Sequence, residues 1–320
     1  MNVIIVNRHA KRMRDRPMAD RIMREFHDCA YIIDAADPIH TIGELAYVLD
    51  QRGIETIYVV GGDGTFNNVI NWIASLPITD RPRLMSVGGR QFCYMAKFHG
   101  LKNKNPLKNL RAIFSGKIRL VEQPWRPVRI HDSASDTVRH AAVVADGVIN
   151  DMSSWYESAG KGGALKVFAL IVLAIASVMS EWFRRRLNRI HLTSGTFVLG
   201  ARAFNRRSYA GVTVSAIPRL LSSCQPFRGR LNPRELYCVA YWGGLRRLAF
   251  AAPFIWFGKE PFWIRRLIFN EPVRTASITT SDARLVLDGD LFRWPGTGAG
   301  REHTLTFSAG DDIPLWFVQP

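Results

Sequence analysis

The feature that most constrains the fold is a regular alternation of strand and helix patterns over residues 1 to about 124. Short apolar runs such as NVIIV and TIYVV predict buried strands. Segments with apolar residues spaced three and four apart, as in FNNVINWIASL, predict the helices between them. Strands that alternate with helices favour a parallel, doubly wound α/β sheet. Such a sheet binds ligands beyond the carboxyl ends of its strands, so candidate site residues are expected to follow the strands.

The pattern changes after Pro127, where short strand-like segments are separated by turn residues. This pattern of short strands and turns predicts a second, β-rich domain, and a chain of 320 residues is long enough for two domains. The strand-like segments are HAAVVADGV, HLTSGTFVLGARAF, YAGVTVSAI, ELYCVAYWG and ASITTSDARLVLDGD.

The charge of the chain indicates the sign of its partner. The sequence has 43 Lys and Arg against 27 Asp and Glu, a net charge of +16. Such an excess favours a negatively charged partner, which leaves nucleic acid, nucleotide phosphates and an anionic membrane face open.

The cysteines and the first residues bear on the compartment. None of the cysteines has CxxC spacing, so the sequence predicts neither a zinc site nor a redox pair, and we expect reduced thiols. The apolar run at residues 3–6 is too short for a secretory signal peptide, which favours a cytoplasmic location. The cysteines are Cys29, Cys93, Cys224 and Cys238.

The strongest chemical signal is the run GGDGT at residues 61–65, where a predicted strand ends and a predicted helix begins. Glycines at this place let the backbone turn tightly and let phosphate oxygens approach the amide N–H groups. The start of the helix adds partial positive charge, and Thr65 is expected to cap that helix. Asp63 beside a phosphate can act through a bridging Mg²⁺ or as a proton acceptor.

The segment VVGGDGTFNNVIN resembles the signature of the diacylglycerol kinase catalytic family, which includes bacterial lipid kinases and sphingosine kinases. Asn67, Val69 and Asn71 match that signature, whereas Asn68 replaces its usual Glu. Other segments resemble the family's opening strand, its second glycine motif, its acceptor-side motif, its C-terminal DGE motif and its last strand. These are IIVN, SVGGRQFCYMAKFHGL, GVINDM, LVLDGD and PLWFVQP.

The resemblance implies a fold and a reaction. It implies an α/β nucleotide-binding domain like that of NAD kinase and phosphofructokinase over residues 1–124, with a returning C-terminal strand at about 305–320. Residues 125–304 would form a lipid-binding β-sandwich. The implied activity is an ATP- and Mg²⁺-dependent transfer of the γ-phosphate to the hydroxyl of a diacylglycerol- or sphingoid-like lipid, a step of phospholipid metabolism.

The resemblance also implies roles for individual residues, carried over by position. Asp63 and Asp290 would frame the reacting phosphate, and Asp151 would approach the lipid acceptor. The metal ligands stay unknown. The residues implied in nucleotide binding are Asn7, Gly61, Gly62, Asp63, Gly64, Thr65, Gly88 and Gly89.

Departures from the family pattern leave two other functions open. The usual Asn-Pro becomes Asn7-Arg8, and Arg90 and Gln91 replace a Thr and an Asn of the second glycine motif. The loop that reads DGxL in bacterial members, and helps them hold Mg²⁺, reads NPREL here, and a guanidinium cannot bind Mg²⁺. We expect a lipid kinase. The alternatives are a catalytically altered or inactive lipid- or nucleotide-binding relative, and an NAD kinase, which shares the GGDG motif.

Two further motifs have a structural and a functional interpretation. Asp288 and Asp290 are two residues apart at the end of a predicted strand, where they suit a site, but Asp-Gly is also a common hairpin turn. The glycine-rich run PGTGAG at 295–300 resembles a phosphate loop but lacks the strand and helix around it, so a plain turn is expected.

The remaining apolar segments suggest a membrane. Residues 251–269 interleave Phe and Trp with cations, which suits a membrane interface, a stacked single strand of nucleic acid or an ordinary core. The apolar run at 167–180 is shorter than the roughly 20 residues of a spanning helix, so we expect core or membrane-surface contact. We expect a lipid substrate, a nucleotide and the inner face of an anionic membrane as partners, without nucleic acid; a homodimer stays open.

Overall fold

A computed structural model describes residues 1–8, 17–35, 37–89, 93–102, 104–158, 193–204, 208–220, 224–280, 284–294 and 302–319. The chain forms two compact units, residues 1–126 with 311–320, and residues 127–310. The apolar run at 167–180, the glycine-rich run at 295–300 and the departures at Arg90 and Gln91 lie outside the described residues.

The first unit is an α/β domain built on one six-stranded sheet, in the order β2-β1-β3-β4-β19-β5. All neighbours in this sheet are parallel except β5, which runs antiparallel to β19. The strands are β1 (Asn2–Val6), β2 (Tyr31–Asp34), β3 (Thr56–Val60), β4 (Arg83–Ser86), β5 (Leu120–Trp125) and β19 (Ile313–Val318). The helices are α1 (Pro17–Phe26), α2 (Pro38–Arg52), α3 (Asp63–Ser75), α4 (Tyr94–Phe98) and α5 (Pro106–Phe114), and a 3-10 turn spans Ile78–Asp80.

The strands and helices of this unit follow from local sequence. Strand β3 is buried at every position, as expected for a parallel strand covered on both faces. Helix α2 begins at Asp37, whose carboxylate accepts the N–H of Ile39 at 3.0 Å, and ends at Gly53 with φ of +64°. Helix α5 begins in the same way, with the Asn105 side chain accepting the N–H of Lys108 at 3.2 Å. The predicted doubly wound domain is confirmed.

A buried histidine gives this unit a pH-dependent stability. The ring of His99 is fully buried between Phe66 and Phe317, and its Nδ1 donates to the carbonyl oxygen of Trp316 at 2.6 Å. Burial lowers the pKa of His99 to about 4, although the carbonyl acts in the opposite direction. The histidine is therefore neutral in the folded protein under conditions where an unfolded chain binds a proton.

The unfolding free energy is expected to fall as the pH falls below the unfolded pKa of about 6.5, by about 2 kcal/mol between pH 7.5 and 5. Urea unfolding at each pH measures this loss. His99→Gln should flatten the dependence, whereas the same change at exposed His27 should leave it in place. Equal pH dependence in all three proteins would contradict the assignment to His99.

The second unit contains two antiparallel sheets, in the orders β10-β9-β15-β18-β6-β7 and β14-β13-β12-β8-β16-β17, and β11 also pairs with β9. The strands are β6 (Val128–Asp132), β7 (Thr137–Ala141), β8 (Val143–Gly147), β9 (Thr193–Leu199), β10 (Arg202–Phe204), β11 (Ser208–Tyr209), β12 (Gly211–Ser215), β13 (Leu236–Tyr241), β14 (Ile268–Val273), β15 (Thr275–Thr280), β16 (Arg284–Leu287), β17 (Asp290–Arg293) and β18 (His303–Ala309). The helices among the described residues of this unit are α6 (Val148–Ser158) and α7 (Leu245–Trp256), and a 3-10 turn spans Phe262–Ile264.

Aromatic side chains join the two sheets of the second unit. Phe204 on β10 lies 6.0 Å from Phe269 on β14, and 4.8 Å from Trp242, which follows β13. Phe197 on β9 lies 6.0 Å from the same tryptophan. Rings from both sheets thus share one core, which is the packing of a β-sandwich.

The returning strand is shorter than expected. The predicted return at about residue 305 falls inside β18, which pairs with β6 and β15 in the second unit. The chain enters the first unit again at Asp311, and β19 alone joins that sheet. No helix in the described part of the chain is long and apolar enough to cross a membrane.

Candidate functional site

Three loops meet at one edge of the first unit's sheet. They follow β1, β3 and β4, which are neighbours in the parallel part of the sheet, so their carboxyl ends lie side by side. Asn7 stands in the first loop, Gly61 and Gly62 in the second, and Gly88 and Gly89 in the third. The structure therefore brings together the residues of the first unit that the sequence predicted as a nucleotide site.

The second and third loops approach each other so closely that only glycine fits. A methyl group on Gly89 would place its carbon 2.8 Å from the carbonyl oxygen and 2.9 Å from the amide nitrogen of Gly61. A methyl group on Gly61 would lie 2.8 Å from the Thr65 hydroxyl oxygen. Gly88 has φ of +99°, in the left-handed region that favours glycine. These glycines keep the backbone bare at the carboxyl edge, as phosphate binding by main-chain N–H groups requires.

Gly89→Ala is expected to destabilise the first unit, because its neighbour is backbone that has to move. We expect a loss of about 2 kcal/mol in the free energy of unfolding, the usual cost of overpacking. Gly43→Ala is the matched control, because a methyl group there has no atom within 4 Å and alanine favours the helix. Equal stability of the two variants in urea would show that the contact between the loops is soft.

The start of helix α3 has no side-chain cap. The N-cap is Gly62, which has no side chain to bind the first N–H groups of the helix. Thr65 was expected to cap this helix, but that expectation is wrong, because Thr65 is the third residue of α3. Its hydroxyl oxygen instead accepts a hydrogen bond from Asn7 Nδ2 at 2.7 Å, which ties β1 to the helix. The Thr65 O–H keeps its own proton to donate.

Asp63 links two helices at this edge. It is the first residue of α3 and is 8% exposed. Its carboxylate accepts the N–H groups of Met95 at 3.3 Å and Tyr94 at 3.4 Å, which are the first two residues of α4. Asp63 therefore stabilises the start of α4 and has a fixed orientation beside the glycine loops.

Cys93 is a site neighbour that sequence reasoning missed. Its thiol donates to Asp63 at 3.4 Å and lies 3.3 Å from Ser86 Oγ. Burial, and next the negative charge of Asp63, raise the pKa of Cys93 to about 12. The thiol is therefore protonated and serves as a hydrogen-bond donor instead of a nucleophile. In the sequence, Cys93 follows the Gly88-Gly89 pair in a GGxxxC pattern, and this pattern does not predict a contact with Asp63.

Arg8 is held by acidic side chains of its own unit. Its Nε lies 2.7 Å from Asp34 at the end of β2, and its Nη1 lies 3.1 Å from Asp20 on α1. These pairs fix the guanidinium beside the loop that contains Asn7. The cation that replaces the family's usual proline is thus compensated by two carboxylates.

Asp151 lies on α6 of the second unit. Its carboxylate is 3.6 Å from the guanidinium of Arg284 on β16. The start of α6 is held by a buried network, in which the amide of Asn150 donates to Asp146 Oδ1 at 2.5 Å and to the Arg284 carbonyl at 2.7 Å. Tyr209 donates its phenol hydrogen to the other oxygen of Asp146. This network orients the helix turn that carries Asp151.

Asp288 and Asp290 have different surroundings. Asp288 and Gly289 form the two-residue turn between β16 and β17, with φ of +54° and +91°. The Asp288 carboxylate is buried and accepts the N–H groups of Ala142 at 3.0 Å and Val143 at 2.8 Å. Asp290 is exposed at the start of β17. The hairpin interpretation holds for Asp288, and the catalytic role of Asp290 stays a prediction.

The altered loop NPREL is a closed turn before β13. Glu235 Oε2 accepts the N–H of Asn232 at 2.9 Å, and Arg234 has φ of +64°. The backbone hydrogen bond from Asn232 lowers the pKa of Glu235. No group of three His, Cys, Asp or Glu side chains in the described part of the chain is arranged to hold a metal ion. A Mg²⁺ ion that arrives with nucleotide phosphates needs only one or two carboxylates from the protein, and Asp63 would supply one of them.

The chain is similar to known proteins over the segment that contains these loops and in its fold. Residues 2–122 match the family model of the diacylglycerol kinase catalytic domain. Over 100% of its length the chain is similar to solved structures from Bacillus anthracis str. Sterne, all at 12% identity. One is of a "putative diacylglycerol kinase" (TM-score 0.64, 97% of that chain), and one of a diacylglycerol kinase (0.61, 97%). A third has a TM-score of 0.64 over 98% of that chain. Among curated proteins, no sequence matches this one.

The family match covers the unit that contains the glycine loops, Asn7 and Asp63. The structural similarity extends over the second unit as well, and it concerns the fold. The resemblance seen in the sequence is thereby confirmed: residues 2–122 match the diacylglycerol kinase catalytic domain family, and the chain has the fold of the three structures to which it is similar.

Proposed function

We propose that the protein is an ATP-dependent lipid kinase, which phosphorylates the hydroxyl of a diacylglycerol- or sphingoid-like lipid. The observation that carries this proposal is the contact between Gly61 and Gly89 beside the uncapped start of α3, within the segment that matches a kinase family. ATP supplies the transferable γ-phosphate. What the chain has to supply is phosphate binding, orientation and the removal of one proton.

The glycine loops fit the phosphates of ATP. Backbone N–H groups at the start of α3 point along the helix axis towards the carboxyl edge of the sheet, where a phosphate gains both hydrogen bonds and the helix dipole. The Thr65 hydroxyl adds a donor whose position is set by Asn7. A side chain at Gly89 would meet the Gly61 backbone and push the two loops apart, and a side chain at Gly61 would displace the Thr65 hydroxyl.

Asp63 is the carboxylate that we assign to the phosphate side. It is held by two N–H groups of α4 and by Cys93, so little reorganisation is required when a Mg²⁺–phosphate group binds. As the family resemblance implies, we assign Asp290 with Asp63 to the reacting phosphate and Asp151 to the lipid hydroxyl. In the transfer, the hydroxyl oxygen forms a bond to the γ-phosphorus, the bond to the bridging oxygen breaks, and a carboxylate accepts the hydroxyl proton.

The direct test uses ATP labelled on the γ-phosphate. The purified protein is incubated with Mg²⁺ and with diacylglycerol, a sphingoid base or NAD in separate reactions, beside a known lipid kinase. Labelled lipid is expected in at least one of the first two reactions. Labelling of NAD alone would overturn the lipid proposal. Binding of ATP without any transfer, while the known kinase is active, would identify a catalytically altered relative.

A further inference from the structure

Helix α7 and the 3-10 turn after it expose a group of aromatic side chains. We name Phe250, Phe254, Phe257, Phe262 and Trp263 the aromatic platform; their exposed fractions are 58%, 46%, 65%, 81% and 38%. Every exposed Phe and Trp among the described residues belongs to this group. Exposed apolar surface concentrated in one segment indicates a surface for interaction.

Part of the aromatic platform lies on a second face of α7, because the helix already has an inner face. Leu248, Ala251 and Ile255 pack towards the core with Ile264 and Leu267. Phe250, Phe254 and Phe257 follow the spacing i, i+4, i+7 on the other side. The inner face of α7 therefore supplies the packing against the core, and the phenylalanine rings of the outer face remain on the surface.

The chain after α7 is fixed, so the aromatic platform is preorganised. Gly258 has φ of +67°; its N–H donates to Ile255 and the next N–H to Phe254, which closes the helix with a Schellman motif. Arg228 then holds the loop through the Gly258 carbonyl at 3.2 Å and the Glu260 carboxylate at 2.8 Å. The fully buried Ile264 anchors the 3-10 turn that carries Phe262 and Trp263.

The charge around the aromatic platform is positive. Residues 245–266 contain five cations and one acid, Glu260, which Arg228 already compensates. All five cations are exposed, and within the described residues none of them forms an ion pair. The cations are Arg246, Arg247, Lys259, Arg265 and Arg266.

We propose that the aromatic platform and its five cations dock the protein on an anionic lipid bilayer. Phe and Trp rings enter the interfacial region, while the arginines and the lysine remain among the anionic headgroups. The choice of a lipid surface rests on the proposed function, but docking requires no ATP and no transfer. Docking would bring the kinase to a substrate that lies within the membrane.

Vesicle binding tests the docking surface. The full chain is sedimented without ATP with vesicles of phosphatidylcholine, alone or with about 30% phosphatidylglycerol. Binding is expected to the anionic vesicles and to weaken with salt. The double variant R246Q/R247Q should bind about 30-fold more weakly, and F250S/F254S at least about tenfold more weakly. Matched controls on α2 and α5, I39S/Y47S and R52Q/K108Q, should bind like the unchanged protein.

The outcomes separate docking from activity. In neutral detergent micelles, both platform variants should phosphorylate dispersed lipid at the rate of the unchanged protein. Their melting temperatures show whether they are folded. Unchanged vesicle binding by both platform variants would overturn the proposal. So would equal binding to vesicles without phosphatidylglycerol. Loss of a dimer in F250S/F254S, with no vesicle binding by any protein, would assign the surface to a second copy of the chain instead.

Discussion

Asp63→Asn is expected to reduce phosphate transfer by about 100- to 1000-fold. Asparagine has nearly the shape of aspartate, and its side-chain oxygen can still accept an N–H group from the start of α4. Asparagine lacks the negative charge with which Asp63 is proposed to hold the Mg²⁺–phosphate group. The loss should therefore appear in kcat for transfer, measured with labelled ATP, without unfolding of the first unit.

The matched control for this change is Asp50→Asn, which makes the same substitution on the exposed side of α2. It should retain the activity of the unchanged protein. Thermal unfolding of both variants shows whether the fold is intact. If Asp63→Asn keeps transfer within about threefold of the unchanged protein, the charge of Asp63 is not part of the reaction, and its role is limited to stabilising α4.

Asp288→Ala is expected to reduce the free energy of unfolding by about 4 kcal/mol. The change removes the acceptor of the Ala142 and Val143 N–H groups, at a buried position, and each unsatisfied buried donor costs about 1–3 kcal/mol. Alanine is also less suited than aspartate to a φ of +54°. Urea unfolding of the full chain measures the loss.

Two variants separate the hydrogen bonds from the turn. Asp288→Asn keeps one side-chain acceptor and should lose less stability than Asp288→Ala. Asp290→Ala, two residues away and exposed, should change the free energy of unfolding by less than about 1 kcal/mol. If Asp290→Ala destabilised the protein as much as Asp288→Ala, the loss could not be assigned to the buried hydrogen bonds of Asp288.

The α/β unit could be predicted because its signals are local. A parallel strand covered on both faces, such as β3, requires a continuous apolar run, and that run is visible without any knowledge of its partners. The glycines after β3 and β4 were predicted for the same reason, since a tight turn at a strand end is a property of adjacent residues.

Contacts between distant residues could not be predicted in this way. Thr65 was expected to cap α3 because hydroxyl side chains cap helices, but its partner is Asn7, 58 residues earlier. Cys93 gave no signal of its contact with Asp63, and Asp288 gave none of its bonds to β8. Each of these contacts depends on which strands and loops become neighbours, and the strand order of the whole sheet determines this.

The aromatic residues on α7 show the same division. Their spacing was compatible with a core, a membrane interface or stacked bases, because the adjacent residues in the sequence do not determine whether a side chain is buried. The packing of Leu248, Ala251 and Ile255 decided that Phe250 and Phe254 lie on the outside.

By itself the sequence determined the order of the elements, the glycine loops and the resemblance to a kinase family, because these depend on periodicity and adjacent residues. Only the tertiary structure decided which carboxylate is structural, which hydroxyl is oriented and which apolar face is exposed. The physical reason is that hydrogen-bond partners and solvent exposure are properties of packed neighbours, and such neighbours are far apart in the chain.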